Sequence, residues 1–395
     1  MASLYLHVPF CKTRCAYCDF YSQTQFLYIN VYIKALVNEL ELQKNYLDGE
    51  VIETIYWGGG TPSLLQPDDF GMVFNAINRF YDTSSCAEIT LEVNPDDMTE
   101  VYLAALRKLP FNRISLGVQS FNDNDLRLLN RRHTADQAFN AINLCQKAGY
   151  SNLSIDLIYG LPGQTLPMWE DNLNKALSLQ IPHLSAYHLS YEEGTVMHQQ
   201  LNAGMIRPVD EETSILLFDR LIDKLTEAGY LHYEISNFCK PGCFSRHNTA
   251  YWTDRKYLGV GPAAHSYNHH SRQWNIASLP DYIDGINKEV QGSKCKVETG
   301  RAPSLQMRQT PKLFEKELIN DKTRYNEYIM TRLRTMWGIH PASFLEIFDR
   351  EHLDYLLQQA KPYVQNGMME QDDNKLYITG KGLFVADGII RDLMK

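Results

Sequence analysis

The chain has 395 residues, of which 44% are hydrophobic and 22% charged, and its formal net charge is −9. This composition is that of a globular protein large enough for a barrel-sized domain and a smaller one. The acidic balance argues against nucleic-acid binding, which usually needs a basic surface. No apolar run reaches the roughly 20 residues of a membrane span, and the N-terminus has the pattern of neither a secretory signal nor a transit peptide. We therefore expect a cytoplasmic protein with reduced cysteines.

Strands and helices alternate over the first 200 residues. Apolar, β-branched runs predict six strands: SLYLHV, IETIYW, EITLEV, RISLGV, LSIDLIY and HLSAYHL. Helical periodicity predicts the helices between them: YINVYIKALVNELEL, DDFGMVFNAINRF, TEVYLAALRKL, ADQAFNAINLCQKAG and MWEDNLNKALSL. Strands joined in this way form a parallel α/β sheet with right-handed crossovers, and the repeat length fits a partial (β/α)6, TIM-like barrel. A doubly wound open sheet is the alternative.

Three cysteines follow the first predicted strand with the spacing C-x3-C-x2-C. They are Cys11, Cys15 and Cys18. Three thiolates suit a [4Fe–4S] cluster in which the fourth iron stays open to a small molecule. A structural zinc site is the alternative, but it would need a fourth ligand. Cys239 and Cys243 form a second pair from which such a site could draw thiolates.

Polar and glycine residues follow the other predicted strands at their carboxyl ends. A glycine turn, 58–60, follows the second strand, Glu92 ends the third, Gln119 ends the fourth, and Asp156 lies in the fifth. The carboxyl ends of parallel strands meet at one rim of a barrel, where the functional residues of such folds lie. We therefore expect these residues to converge with the three cysteines on one site.

The remainder of the chain predicts three further segments after a barrel core at 1–200. Residues 201–300 are less regular and would complete the barrel, and 301–321 is predicted to be a linker or strap. Over 322–395 three helices and a hairpin resemble a winged helix. Residues 321–395 carry 10 Lys and Arg against 11 Asp and Glu. This domain is therefore poorly suited to bind phosphates, and we interpret it as a packing or partner-binding domain.

CKTRCAYC after a first strand, followed by YWGGGTPS, resembles the radical S-adenosylmethionine (SAM) superfamily. In that superfamily SAM chelates the open iron. An electron from the cluster then cleaves SAM to methionine and a 5′-deoxyadenosyl radical. Seven blocks narrow the resemblance: YLHVPFCKTRCAYCDF, YWGGGTPSLL, EVNPDD, RISLGVQSF, LNRRHT, SIDLIYGLPGQT and LSAYHLSYEEGT. They resemble the branch that contains oxygen-independent coproporphyrinogen III dehydrogenase (oxidase) and the HemW-type heme chaperones.

The resemblance implies which residues contact SAM. They are Tyr5, Tyr17, Gly59, Gly60, Thr61, Glu92, Gln119, Arg131 and Asp156. Structural roles are the alternative for several of them. The two acids could be buried partners of an arginine, Gln119 could cap a helix, and Arg131 could be a solvated surface residue.

Three features distinguish the members of the branch. The dehydrogenase has Gly-Cys after its third cluster cysteine and a long extension before the cluster, whereas here Asp19 and Phe20 follow Cys18, and ten residues precede Cys11. The segment 247–252, HNTAYW, matches the H-N-x-x-Y-W motif of the heme chaperones. The resemblance therefore implies a protein that binds heme and transfers it to an acceptor. The alternatives are decarboxylation of coproporphyrinogen III, and an interaction protein whose cluster regulates partner contact.

The HNTAYW segment supplies the candidate heme residues His247, Tyr251 and Trp252, with His265 as the next candidate ligand. Neutral imidazole ligates iron, and aromatic rings pack on the macrocycle. The structural alternative is that His247 satisfies buried groups while the aromatic side chains fill core. Because the segment lies outside the barrel strands, heme and cluster are expected at separate sites. The implied partners are a heme acceptor protein and an electron donor, with peripheral contact to membrane-bound acceptors.

Overall fold

The computed structural model describes residues 1–299, 313–372 and 374–395. The strands are β1 Ala2–Val8, β2 Ile52–Gly59, β3 Glu88–Val93, β4 Arg113–Gln119, β5 Asn152–Tyr159, β6 His183–His188, β7 Leu231–Glu234, β8 Asn237–Cys239, β9 Tyr257–Val260, β10 His265–Tyr267, β11 Ser271–Asn275, β12 Phe314–Leu318, β13 Met369–Gln371 and β14 Leu376–Ile378. The helices are α1 Ile29–Leu42, α2 Pro67–Phe80, α3 Glu100–Leu106, α4 Asp123–Leu128, α5 Ala135–Lys147, α6 Leu166–Ser178, α7 Val196–Asn202, α8 Glu211–Glu227, α9 Arg246–Trp252, α10 Leu279–Thr299, α11 Asp321–Leu333, α12 Pro341–Leu345, α13 Arg350–Gln365, α14 Gly380–Leu383 and α15 Ala386–Leu393.

A twelve-stranded sheet forms the body of the protein, in the order β12-β11-β10-β9-β1-β2-β3-β4-β5-β6-β8-β7. Strands β1 to β6 lie side by side and parallel, with helices between them in the chain. Strand β9 pairs in parallel with the other edge of β1, where Tyr5 lies opposite Gly259. Strand β8 pairs antiparallel with β6, so the sheet stays open on that side. These six parallel strands confirm the predicted partial (β/α)6 barrel.

The parallel strands are buried on both faces, as their continuous apolar sequences predict. Large aromatic side chains fill the space between the sheet and its helices. Trp57 meets Phe70 at 4.9 Å between ring centroids, and Phe70 meets Phe111 at 5.1 Å, both edge to face. Burial of each such side chain stabilises the fold by about 1.5–3 kcal/mol, which makes this layer a main source of barrel stability.

Local sequence fixes where several barrel helices begin. In α5, Thr134 Oγ1 accepts the backbone N–H of Gln137 at 3.3 Å, and the Gln137 side chain accepts the N–H of Thr134 at 2.9 Å. The same reciprocal capping box joins Gln66 and Asp69 at the start of α2. Each box satisfies two backbone donors that a helix end leaves open, so both helices begin at a defined residue after their strand.

Helix α9 closes the amino end of the sheet. Ser245 caps it, and the carboxylate of Glu88, the first residue of β3, accepts the N–H groups of Arg246 and His247 at 3.0 and 2.9 Å. A carboxylate at a helix N-terminus satisfies open donors and complements the helix dipole. This anchor places the HNTAYW segment at the end of the strands opposite to the rim that carries the cysteines.

The C-terminal part has a core of its own. Helices α11, α12, α13 and α15 and the hairpin β13–β14 enclose buried apolar residues that include Ile329, Phe344, Leu356 and Ile389. This arrangement confirms the predicted helical, winged-helix-like domain. It meets the barrel through α9 and β7, where the N–H of Met336 donates to the carbonyl of Tyr233 at 3.0 Å.

The segments between these two bodies are part of the main sheet where the structure describes them. Residues 201–299 supply β7 to β11, and 314–318, inside the predicted linker, form the edge strand β12 against β11. Residues 301–312 of that linker lie outside the described residues. The division at residues 200, 300 and 321 stays a prediction. Across the described parts of the chain, none of the helices is both long and apolar enough to cross a membrane.

Candidate cluster and cofactor site

A cavity of about 460 Å³ opens at the carboxyl ends of the strands. Its volume lies within the usual range of small-molecule sites. The three cysteines of the C-x3-C-x2-C motif line it. Eight of the nine predicted SAM residues line it too: Tyr17, Gly59, Gly60, Thr61, Glu92, Gln119, Arg131 and Asp156. The structure thus brings together residues from the ends of β2 to β5 and from the loop that follows β1.

The loop with the three cysteines is held by backbone hydrogen bonds and by two polar side chains. Cys11 N–H donates to the Gln23 carbonyl at 3.0 Å, and Thr61 Oγ1 donates to Cys11 Sγ at 3.6 Å. Arg131 Nη1 donates to Cys15 Sγ at 3.2 Å. Burial raises the pKa of the Cys11 thiol, and it raises that of Cys18 to about 11. Metal binding would have to supply the energy for deprotonating them.

The donor set fits an iron–sulfur cluster better than a single metal ion. The described residues contain no group of three or more His, Cys, Asp or Glu side chains close enough to hold one ion. A cubane requires no such convergence, because each cysteine binds a different iron. The alternative of a zinc site that joins Cys239 and Cys243 to the first three cysteines therefore finds no support in the geometry.

The glycine turn after β2 packs directly against the cysteine loop. Gly60 N–H donates to the Val8 carbonyl at 2.8 Å, and a Cβ on Gly60 would lie 2.6 Å from the Phe10 carbonyl oxygen. Gly59 has a φ of 103°, and a Cβ there would lie 2.6 Å from the His7 ring. Only glycine permits this backbone conformation and this close approach without strain. The turn thereby fixes the position of the loop that follows β1.

Two half-buried carboxyl groups, Glu92 and Asp156, also line the cavity. The hydroxyl of Tyr56 donates to Glu92 Oε1 at 2.6 Å. Burial, with a further contribution from the nearby Asp156, raises the pKa of Glu92 to about 7. Burial also raises the pKa of Asp156 to about 6. A cationic ligand in the cavity would favour the ionised form of both groups.

Arg131 is a half-buried link between the cysteine loop and the strands, not a solvated surface residue. Besides its bond to Cys15, its Nη2 donates to Asn94 Oδ1 at 2.7 Å and to the Gly117 carbonyl at 2.6 Å. Gln119 lies beside it with a φ of 67°, at the point where the register of β4 against β5 shifts. A residue other than glycine with a positive φ is strained, and such backbone strain is common at functional sites.

Several cavity residues were not singled out from the sequence. Asn94 lines the cavity and donates to Thr61 Oγ1 at 3.3 Å, and Tyr187 and His188 line the side nearest β6. A Cβ on Gly117 would lie 2.9 Å from the Gln119 amide, so this glycine makes room for that side chain. All four residues belong to the blocks EVNPDD, RISLGVQSF and LSAYHLSYEEGT, which were the available signal.

Tyr5 lies below the cavity and does not line it. Its hydroxyl hydrogen-bonds with His7 Nδ1 at 3.1 Å, and its ring stacks on Tyr56 at 6.2 Å. Tyr56 in turn holds Glu92. Tyr5 therefore contacts the cavity only indirectly, through the ring of Tyr56.

The structure places His247, the candidate iron ligand, in a buried network and not at an open surface. Its side chain is buried, with 1% of the residue exposed. Nδ1 hydrogen-bonds with Thr54 Oγ1 at 2.8 Å and Nε2 with Tyr251 Oη at 3.0 Å, while the ring stacks on Tyr56 at 4.8 Å. Burial, together with the charge of Arg113, lowers the pKa of His247 to about 3. Both ring nitrogens are hydrogen-bonded, so ligation of iron by His247 would require one of these two bonds to break.

Tyr251 and Trp252 line a second cavity, of about 170 Å³, between α9 and α11. Further aromatic and basic side chains line it: Tyr257, Tyr267, Tyr328, Arg272 and Arg324. The volume is below the range of sites for drug-sized ligands, so a porphyrin would fit only after α11 moved away from α9. His265 lies two residues from Tyr267 on β10, exposed, with its ring 5.8 Å from Trp274.

The two cavities lie at opposite ends of the strands. Thr54, the partner of His247, precedes Gly59 by five residues on β2, which corresponds to about 17 Å along a strand. The HNTAYW segment and the cysteine loop are therefore separate places in the fold.

Comparisons with known proteins agree with this architecture. The chain matches the radical SAM superfamily over residues 5–176 and the HemN C-terminal domain over 319–385. It is 31% identical over 393 residues to the heme chaperone HemW of Lactococcus lactis, across 99% of this chain and 97% of that protein. It is also 31% identical over 394 residues to HemW of Bacillus subtilis, across 98% of both chains.

Among solved structures, coproporphyrinogen III oxidase (HemN) from Escherichia coli superimposes with a TM-score of 0.80 at 22% identity, across 100% of this chain and 90% of that one. That likeness is one of fold. Fold and cavity together define a radical SAM protein, a class whose cofactors are a [4Fe–4S] cluster and SAM. Within this superfamily the chain belongs to the HemW family.

Proposed function

We propose that this protein binds heme and transfers it to an acceptor protein. The observation that carries the proposal is the similarity to HemW heme chaperones over nearly the whole length of both chains, C-terminal domain included. The acceptor and the electron donor are separate proteins in this proposal, and the protein acts in the cytoplasm. Where the acceptor is bound to a membrane, this protein would contact it at the membrane surface.

The cluster is proposed to be held by Cys11, Cys15 and Cys18, with one iron left for SAM. When bound, these groups supply one-electron chemistry. The chain itself would position the ligand. Arg131 orients the Cys15 side of the loop, and Glu92 offers negative charge to the cationic parts of SAM. Asp156, the Gln119 amide and the glycine turn complete the proposed SAM site.

Iron content tests the proposed cluster site. Anaerobic reconstitution should give about four irons and four sulfides per chain. Cys15→Ala should lose most of this iron, because the cluster would keep only two protein ligands. Cys145→Ala is the matched control, since Cys145 is a buried cysteine of α5 away from the cavity. Full iron content in Cys15→Ala would contradict the assignment.

For heme, we propose that Tyr251 and Trp252 contact the macrocycle in the cleft between α9 and α11. Aromatic faces suit a porphyrin. Arg272 and Arg324 line the same cleft and pair there with Glu327 and Asp254, so they would exchange these partners for its propionates. His265, two residues along β10 from this cleft, is the iron ligand that we propose, and His247 stays the other candidate. Heme titration tests this: His265→Ala should shift or weaken the Soret band, and an unchanged band would exclude this ligand.

The alternative function is oxidation of coproporphyrinogen III. The HemN-like fold supports it, but at 22% identity the likeness extends to fold alone. Asp19 and Phe20 stand where the resemblance to the dehydrogenase predicts Gly-Cys. Reconstituted protein with SAM and a reductant should therefore form no protoporphyrinogen by chromatography, while it binds heme. Many turnovers in that assay would favour the enzyme.

A further inference from the structure

An exposed apolar patch lies next to the cysteine loop. We call it the 20–31 patch, and its members are Phe20, Phe26, Leu27, Tyr28 and Val31. Leu27 is 89% exposed and Phe20 60%. Single exposed apolar residues are ordinary, but five large ones within twelve residues mark an interaction surface.

Backbone contacts tie this patch to the proposed cluster site. The N–H of Gln23 donates to the Pro9 carbonyl at 2.8 Å, and the Gln23 carbonyl accepts from Cys11 at 3.0 Å. Phe20 lines the cavity together with Cys18, two residues before it. A protein that covers the patch would therefore lie beside the cluster.

The charge around the patch is opposite to that of the whole protein. Residues 9–34 hold three basic side chains, Lys12, Arg14 and Lys34, and one acidic side chain, Asp19. Lys12 pairs with Asp97 at 2.5 Å, so the other three side chains leave 2 − 1 = +1 in a chain of net charge −9. All four side chains are exposed. Arg14 and Lys34 would attract an acidic partner to this face of a protein whose net charge is negative.

We propose that the 20–31 patch is the docking surface for an acidic one-electron carrier protein that reduces the cluster. This inference rests on the proposed cluster site. The carrier gives one electron, and the cluster passes from its 2+ to its 1+ state. No bond forms or breaks, no proton moves, and the carrier leaves oxidised by one electron.

The size and composition of the patch suit such a partner. Electron-transfer encounters are short-lived and bury little surface, below about 1,200 Å² in total. A few exposed aromatic and aliphatic side chains, surrounded by charges that steer the approach, meet that need. The remaining candidates, a second copy of this chain and the heme acceptor, become outcomes of the test.

The test measures cluster reduction by stopped-flow absorbance in the reconstituted full chain, with flavodoxin hydroquinone as the acidic carrier. Leu27→Glu removes apolar surface and adds a repelling charge at a side chain that is almost fully exposed, so folding is unaffected. Its rate constant should fall at least about tenfold, the effect of about 1.4 kcal/mol. Leu318→Glu, on the edge strand β12 and 74% exposed, is the matched control and should react as wild type.

Dithionite separates docking from a damaged cluster, because this small reductant needs no docking surface. The proposal is supported if all three proteins have equal iron content and equal rates of reduction by dithionite. Reduction by flavodoxin should then be slower only in Leu27→Glu, and added salt should slow it in wild type. Equal flavodoxin rates in wild type and Leu27→Glu would overturn it and leave the cluster assignment intact. Failure of wild type to bind iron would overturn both. A wild-type dimer that Leu27→Glu dissociates, or loss of heme transfer without slower reduction, would assign the patch to another partner.

Discussion

Burial sets the protonation of the two carboxyl groups in the cavity. Glu92 on β3 and Asp156 on β5 are half-buried in the cavity, where the partial loss of water disfavours their charged forms. The folded protein keeps them protonated to a higher pH than the unfolded chain does. A cationic ligand would reverse this preference, so these two groups favour the binding of positive charge and lower the stability of the ligand-free protein near neutral pH.

The first prediction concerns this pH dependence. Between the ordinary glutamate pKa near 4 and the folded value of about 7 for Glu92, the native state binds more protons than the unfolded state. The free energy of unfolding of the ligand-free protein should therefore fall as pH rises through this window, by about 3 kcal/mol from this group. Glu92→Gln should show a shallower pH dependence in urea unfolding, whereas Glu227→Gln, exposed on α8, should keep the wild-type slope. Identical slopes in all three proteins would contradict the prediction.

The second prediction concerns His247. Its replacement by Ala removes two buried hydrogen bonds and a stacked ring, so the free energy of unfolding should fall by about 2–4 kcal/mol. Thr54→Val, which removes one of those bonds and leaves the imidazole, should destabilise in the same direction by a smaller amount. The Soret band of heme-loaded protein should keep its position in both variants, since His265 is the proposed ligand. A lost Soret band with unchanged stability would restore His247 as the ligand.

At the scale of elements, the turn after β2 and the loop after β1 act as one unit. Gly60 touches the backbone of Phe10, and the Thr61 hydroxyl reaches Cys11. The glycine motif therefore fixes the cysteine loop even before any cofactor is present. Glycine is required at this position because the turn after β2 and the loop after β1, which are distant in the sequence, pack against each other.

The third prediction tests this unit. Gly60→Ala would place a Cβ 2.6 Å from the Phe10 carbonyl oxygen, so the cysteine loop must shift. Iron retained after reconstitution should fall several-fold, with the remaining fold intact by circular dichroism. Gly71→Ala is the matched control, because a Cβ at this position in α2 meets nothing within 4 Å and alanine favours helix. Equal iron content in the two variants would separate the turn from the cysteine loop.

The sequence predicted what depends on local pattern, and the structure added what depends on distant pairing. The six strands, their crossovers and the rim residues follow from periodicity and from the carboxyl-end rule, so Glu92, Gln119 and Asp156 could be placed in advance. The pairing of β9 with β1 could not, because it joins segments some 250 residues apart and leaves no local signal. The position of the motif at 247–252 also depends on a distant contact. Glu88 anchors this motif at the amino end of the strands, and no local pattern in the sequence indicates that contact.

At the scale of the whole molecule, the C-terminal domain lies against the end of the barrel that α9 closes. Arg272 of β11 forms an ion pair with Glu327 of α11 at 2.8 Å, and Arg332 Nη2 donates to the Thr253 carbonyl at 3.4 Å. Polar contacts of this kind are weaker than a continuous apolar core, and the two domains have separate cores. The cleft between them is therefore the part of the molecule best suited to open.

The last prediction follows from that contact. Glu327→Gln removes the charge that holds Arg272, and a half-buried ion pair of this kind contributes up to about 1 kcal/mol. Hydrogen exchange in α9 and α11 should become faster, by about fivefold for that energy, because local opening is set by the energy of the contacts that close it. Exchange in β1 to β6 should stay unchanged, since the barrel core does not depend on this pair. Glu370→Gln, on the exposed hairpin strand β13, is the control and should change neither region. Heme should also bind faster to Glu327→Gln if the cleft must open to admit it, and a slower association would show instead that the closed contact forms part of the heme site.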